Sequence, residues 1–165
     1  MPADPTDFEA RVAALWASFD ELSEDEFHAR MDALVAELPD GSAVGLFELA
    51  SAQDSTGHSD RAVALYREAL AAGLGGSLRR QATIQLASSL RNLGEADASV
   101  GLLRAERERD SDELDDAVAA FLALALADTG REREALSLAL EALAPHLPRY
   151  QRSLGNYARD LREPG

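Results

Sequence analysis

Few residues in this chain have types that could do chemistry, and their spacing decides what each can contribute. The histidines are His28, His58 and His146. None has another His or a Cys close to it in sequence, so neither a zinc ligand set nor a nucleophile–base pair can be read from them. Surfaces and helix ends are their expected places. Asp110, Asp112, Glu113, Asp115 and Asp116 resemble a cation-binding loop at first sight. They lack the central glycine and the closing glutamate of a calcium loop. Negative charge at a helix start is favoured by about 0.3–1 kcal/mol per group, and that is the use expected of them. Gly73, Gly75 and Gly76 have no strand before them and no lysine after them, so they make no phosphate loop. The reading is of a protein with no catalytic residues, no cofactor and no metal, and not of an enzyme.

What remains is a surface. Gln81, Ile84, Ser88 and Arg91 are spaced i, i+3, i+7, i+10 and share one face of a helix, with Gln85 and Asn92 flanking it. That face is polar without being densely charged, unlike an ordinary solvated one. An upstream helix would add Phe47, Ser51 and Asp54, and a downstream helix Ala120, Leu124 and Ala127. An arginine beside amides can hold a carboxylate or a peptide backbone, while Phe47 and Ile84 are expected to give apolar anchorage. Arg91 and Asn92 also suit a helix end, where a cation satisfies the last carbonyls and Asn precedes a glycine stop.

The elements that must position these residues repeat. Gly57, Ala62, Tyr66 and Ala69 have counterparts at Gly94, Ser99, Leu103, Glu106 and at Gly130, Ala135, Ala139, Ala142; the glycines lie 37 and 36 residues apart. A period of this size means stacked two-helix units. Each glycine can end the first helix of a pair in the left-handed conformation. Five residues on, a small side chain lets the second helix approach closely. Tyr66, Leu103 and Ala139 would then point towards the first helix of the next pair. The stripes Leu46/Leu49/Ala50, Thr83/Leu86/Ala87 and Ala119/Leu122/Ala123 supply the apolar side of the first helices.

About nine helices and no strand are expected. They run over about 7–19, 24–38, 42–56, 60–72, 77–93, 96–108, from the 110–116 acids to 129, 132–144 and 148–162. Thr6-x-x-Glu9 and Ser23-x-x-Glu26 are capping boxes, Ser42 and Ser77 are further caps, and Pro148 suits the first turn of the last helix. In that last helix Tyr150, Leu154, Tyr157 and Leu161 form one stripe, as a capping helix requires.

Composition narrows the function classes. The chain has 165 residues, no cysteine, and sixteen basic residues that are all arginine. Its net charge of −14 argues against nucleic acid, whose binding draws on neutralised phosphates. No apolar stretch approaches the roughly 20 residues that span a bilayer, and the start has no secretory signal pattern, so a cytoplasmic protein without membrane contact is expected. The charge is segregated. Residues 1–40 hold eleven acids against Arg11 and Arg30, while Arg149, Arg152, Arg159 and Arg162 stand near the other end against Asp160 and Glu163. Solvated faces explain this, and so would acidic and basic ends meeting in an assembly.

The repeat positions resemble the tetratricopeptide repeat. The usual Trp-x-x-Leu-Gly-x-x-Tyr of its first helix survives only as the apolar stripe, and Leu74, Ser111 and Leu147 stand at the place of its closing proline. Repeats are read at about 43–76, 80–113 and 116–147, within a single domain over 1–165. A degenerate helix pair at about 7–41 precedes them, and a capping helix at about 148–162 follows. The segment from Arg79 to Gly94, with Tyr66 to Leu74 before it, is similar to a family of small, free-standing bacterial tetratricopeptide proteins.

The resemblance implies an all-α superhelix whose first helices line a concave groove. It also implies a non-catalytic, dimeric interaction module that binds a peptide segment or helix of another protein. The two-carboxylate clamp of chaperone-binding relatives needs basic and Asn residues where this chain has Phe47, Ser51 and Asp54. A structural homodimer, its groove or ends mediating self-assembly, is the alternative.

Overall fold

The computed structural model of the protein describes residues 5–109 and 111–162. The helices are α1 (Pro5–Ala17), α2 (Glu24–Val35), α3 (Ala43–Ser55), α4 (Ser59–Ala71), α5 (Gly76–Asn92), α6 (Ala96–Arg107), α7 (Asp115–Asp128), α8 (Glu132–Leu143) and α9 (Gln151–Asp160). Short 3-10 turns follow α1 at Phe19–Glu21 and α8 at Ala144–His146. Among the described residues there is no strand. The chain forms two compact units, Met1–Ala82 and Thr83–Gly165, with the boundary inside α5.

In the first unit α1 packs on α2, α2 on α3, and α3 on α4. Phe8, Val12, Leu15, Phe27, Met31 and Leu34 form a core, with Trp16 and Phe19 at its margin. The Phe27 ring lies 4.9 Å from Trp16 and 4.8 Å, edge-on, from Phe19, a geometry that suits the aromatic quadrupoles. Ser23 accepts from the Glu26 backbone while the Glu26 carboxylate accepts from Ser23, which completes the capping box of α2. The Ser42 side chain accepts from the Gly45 backbone and caps α3. A Cβ built on Gly45 would stand 2.8 Å from Val35 Cγ1, so the absent side chain is what lets α3 start against the end of α2. The box expected at Thr6 involves a side chain outside the described residues, and α1 already begins at Pro5, one position ahead of it.

The second unit holds α6 to α9 and the later part of α5. α7 packs on both α6 and α8, and α8 on α9. Its core joins Ile84 and Ala87 to Val100, Leu103, Val118, Ala119, Leu122, Ala123, Ala125, Leu126, Ala135 and Leu138.

The three repeat turns share one construction. Gly57, Gly94 and Gly130 have φ of +87°, +83° and +75°, which only glycine adopts without strain. Behind each, two backbone amides return to the end of the preceding helix, such as Glu95 N to Leu90 O at 2.9 Å and Arg131 N to Leu126 O at 3.0 Å. Ala62, Ser99 and Ala135 are buried at the close approach, as their spacing requires.

Four local expectations change. α5 begins at Gly76, so Ser77 lies in its first turn and not before it. α9 begins at Gln151, because Tyr150 takes a left-handed φ of 70° that breaks the helix between it and Pro148. Ala139 is exposed, and its neighbour Leu138 enters the core instead. The stripe of α9 is split: Leu154 and Leu161 are half-buried and Ala158 is fully buried, while Tyr150 and Tyr157 face outward.

Candidate functional site

The expected surface residues fall in both units. In the first unit Phe47 is only 6% exposed and its ring lies 6.2 Å from that of Tyr66, so it belongs to the α3–α4 seam and offers no surface anchorage. The cause is that a helix between two neighbours buries more than one apolar stripe, and a large ring near the partner helix is drawn in. Ser51 is turned inward as well: its hydroxyl donates to Phe47 O at 2.9 Å and accepts from Tyr66 Oη at 3.4 Å. Asp54 and Gln81 are half-buried.

In the second unit Ile84 is 5% exposed and packs in the core, which likewise removes it as an anchor. Gln85, Ser88 and Arg91 are half-buried along α5, and Asn92 is exposed at its end. Leu124 is 47% exposed on α7, with Ala120 and Ala127 exposed one turn to either side. The structure brings these two sets together. Arg91 Nε lies 2.6 Å from Asp128 Oδ2 across the two helices, and their lower faces share the core through Ile84, Ala87, Ala119 and Leu122. The charges meet without an aligned N–H···O bond, so the contact is an ion pair more than a directed hydrogen bond.

Asp128 was not foreseen, yet a signal existed. It lies 37 residues after Arg91, which is the repeat period, and Asp54 lies 37 before it. Positions one period apart occupy the same register on successive first helices.

Two groups in the first unit are perturbed by burial. Glu48 is held above the usual carboxylate range by desolvation, against the opposing hydrogen bond from Trp16 Nε1 at 3.0 Å. Burial also pushes the Tyr66 phenol well up, so it stays neutral. Both tie helices together. The histidines do the same: His28 Nε2 lies 2.9 Å from Thr56 Oγ1, His58 Nε2 2.6 Å from Glu24 Oε1, and His146 Nε2 2.7 Å from Asp116 Oδ2.

Of the acid run, Asp110 lies outside the described residues. Asp112 accepts from the Leu114 backbone at 2.8 Å, and Asp115 accepts from the Asp112 backbone and the Ser111 hydroxyl, so these carboxylates order the entry to α7. Among the described residues no three His, Cys, Asp or Glu side chains converge as a metal site. None of the described helices is long and apolar enough to cross a membrane.

The family model for the tetratrico peptide repeat matches residues 43–161, from the start of α3 to the end of α9. The chain belongs to the tetratricopeptide repeat family. Its helix pairs and glycine turns are those of that all-α repeat fold. A crystal structure of YrrB, described as a TPR protein with an unusual peptide-binding site, shares the fold. The match covers 96% of this chain and 87% of that one, with a TM-score of 0.58 at 16% identity. No curated protein matches the sequence. In this tetratricopeptide protein α1 and α2 precede the matched segment, and they pack as a further antiparallel pair before α3.

Proposed function

We propose that the protein is a non-catalytic interaction module that takes a peptide segment or helix of another protein on the face shared by α5 and α7. The observation that carries this reading is Leu124. It stands half-exposed between exposed Ala120 and Ala127, while Val118, Leu122 and Leu126, the other branched aliphatic residues of α7, are buried. An apolar side chain rimmed by polar groups is the composition of a binding surface. Arg91, Ser88 and Gln85 form the polar rim on α5. Arg91 meets Asp128 through Nε, and its terminal guanidinium nitrogens are the donors that would reach a peptide carbonyl or carboxylate. Family membership and the peptide-binding site named for YrrB support the reading.

The test is affinity capture from a native lysate with the wild type and two variants. Leu124→Glu puts a charge where the guest's apolar side chain would lie, and its exposure keeps the fold intact. Arg91→Glu sets two carboxylates against each other and removes the donors. Both should lose the partner while the helical circular dichroism stays unchanged. Capture that survives both substitutions would remove this face as the binding surface.

A further inference from the structure

The joint between α2 and α3 holds a small pocket of about 260 Å³. Its floor is apolar, lined by Val35, Leu38, Leu46 and Leu49, all half-buried. Val35, Leu38 and Leu49 also rest on the aromatic core of the first unit, so the floor is held in place from below. The turn from Pro39 to Ser42 closes one side, with the Ser42 backbone donating to Pro39 O at 3.0 Å. Asp32 and Asp40 stand exposed among the lining residues, and no arginine does.

The negative bias of this pocket is left without a counter-charge. Among the described residues neither Asp32 nor Asp40 has an ion-pair partner. α2 ends at Val35 on the pocket wall, and its last turn carries no basic residue against the partial negative charge of a helix C-terminus. The two arginines of residues 1–40 are placed elsewhere. Arg11 holds Glu37 at 2.6 and 2.7 Å, and Arg11 and Arg30 line a separate groove between α1 and α2.

We propose that this pocket takes a long cationic side chain, arginine or lysine, from a basic segment of another protein. The methylene stem lies on the four apolar residues and the head reaches Asp32 and Asp40. Such side chains bury the stem along apolar surface and keep the charge at a polar rim. Size favours a side chain over a free ligand, because drug-sized molecules fill roughly 300–1,000 Å³ and this space is smaller. Charge selects the cation. Eleven acids stand against two arginines in residues 1–40, and the net charge of −14 draws basic segments towards the molecule. The pocket lies in the first unit, uses no residue of the α5/α7 face and goes beyond the peptide binding proposed there.

The probe is fluorescein-labelled hexa-arginine, titrated with the full chain at about 0.15 M salt and followed by anisotropy. Asp32→Asn/Asp40→Asn should weaken binding about tenfold. Glu9→Gln/Glu68→Gln removes the same charge at exposed positions outside the pocket, and should weaken it less than about twofold because salt screens distant charges. Ala36 is an exposed lining residue, so Ala36→Trp keeps every charge and fills the space over the floor. It should weaken binding about as much as the aspartate pair does, with the helical circular dichroism unchanged in all three. A wild type that does not bind the probe would overturn the proposal. So would equal weakening by the two charge variants, which would leave only the general field, or full binding by Ala36→Trp, which would leave only surface charge. Self-association of the wild type that is lost in Asp32→Asn/Asp40→Asn would give the pocket to a second copy instead. Lysate capture at the α5/α7 face is read separately, and none of these variants touches it.

Discussion

The two units solve the same packing problem with different residues. In the first, the α1–α2 core is built on rings: Phe8 and Phe27 are buried, with Trp16 and Phe19 packed against them. In the second, five of the buried core residues are alanines, at 87, 119, 123, 125 and 135, and no aromatic residue is buried among them. The family match begins at residue 43, so the ring-built pair lies outside it and the alanine-built pairs lie inside. Close-packed repeats need small side chains recurring at the points of approach, and this holds composition to alanine, serine and glycine there. The α1–α2 pair lies outside that repeat pattern, is under no such constraint and fills its space with bulk.

The sharpest way to break this comparison is Phe27→Ala. Removing a fully buried ring at the centre of the aromatic cluster should cost about 3–5 kcal/mol, read by denaturant unfolding. Amide exchange should accelerate more in α1 and α2 than in α7 and α8. Equal acceleration in both regions would show that the two cores are one cooperative block.

The complementary change is Ala125→Leu, which should cost about 1–3 kcal/mol because the alanine site is filled and has no room for three more carbons. Loss of protection should now centre on α7 and α8. A neutral result would mean that the alanine packing is slack and the contrast between the cores is one of composition only.

The smallest effect is expected at Glu48→Gln. Burial raises the Glu48 pKa above its ordinary 4.5, so the folded state binds this proton more tightly than the unfolded one. Its contribution is therefore full below pH 4.5 and lost as pH rises through the raised value. Gln keeps an acceptor for Trp16 without the charge, so the variant should be slightly more stable at neutral pH, and the gain should vanish in acid. Glu24, Glu26 and Glu37 run the other way. His58, Ser23 and Arg11 respectively hold them below 4.5, so their contribution is present above that pH and fades as pH falls through the lowered values. A thermal melt across the acid range separates the two signs.

Much of the fold was legible because it is local. Each helix has an apolar stripe, and most have a cap or a glycine stop within a few residues, so Ser23, Ser42, Gly57, Gly94 and Gly130 hold the places their types require. The errors came at ends where two local signals competed. Pro148 and Gln151 both suit a helix start, and Tyr150 in its left-handed conformation decides for Gln151. The candidate surface was less legible. Leu124 is exposed as its face predicts, whereas Phe47 and Ile84 are core residues.

The order of residues alone determined the nine helices found among the described residues, a repeat of two-helix units and the small side chains at which the units meet. These follow from periodicities of three to five residues and from backbone angles that one residue type adopts. Tertiary structure alone decided which apolar residues each unit covers, that Arg91 meets Asp128, and that Tyr150 and Tyr157 remain in water. Such outcomes depend on neighbours supplied by distant segments, and a helical stripe does not record how wide a neighbour will be.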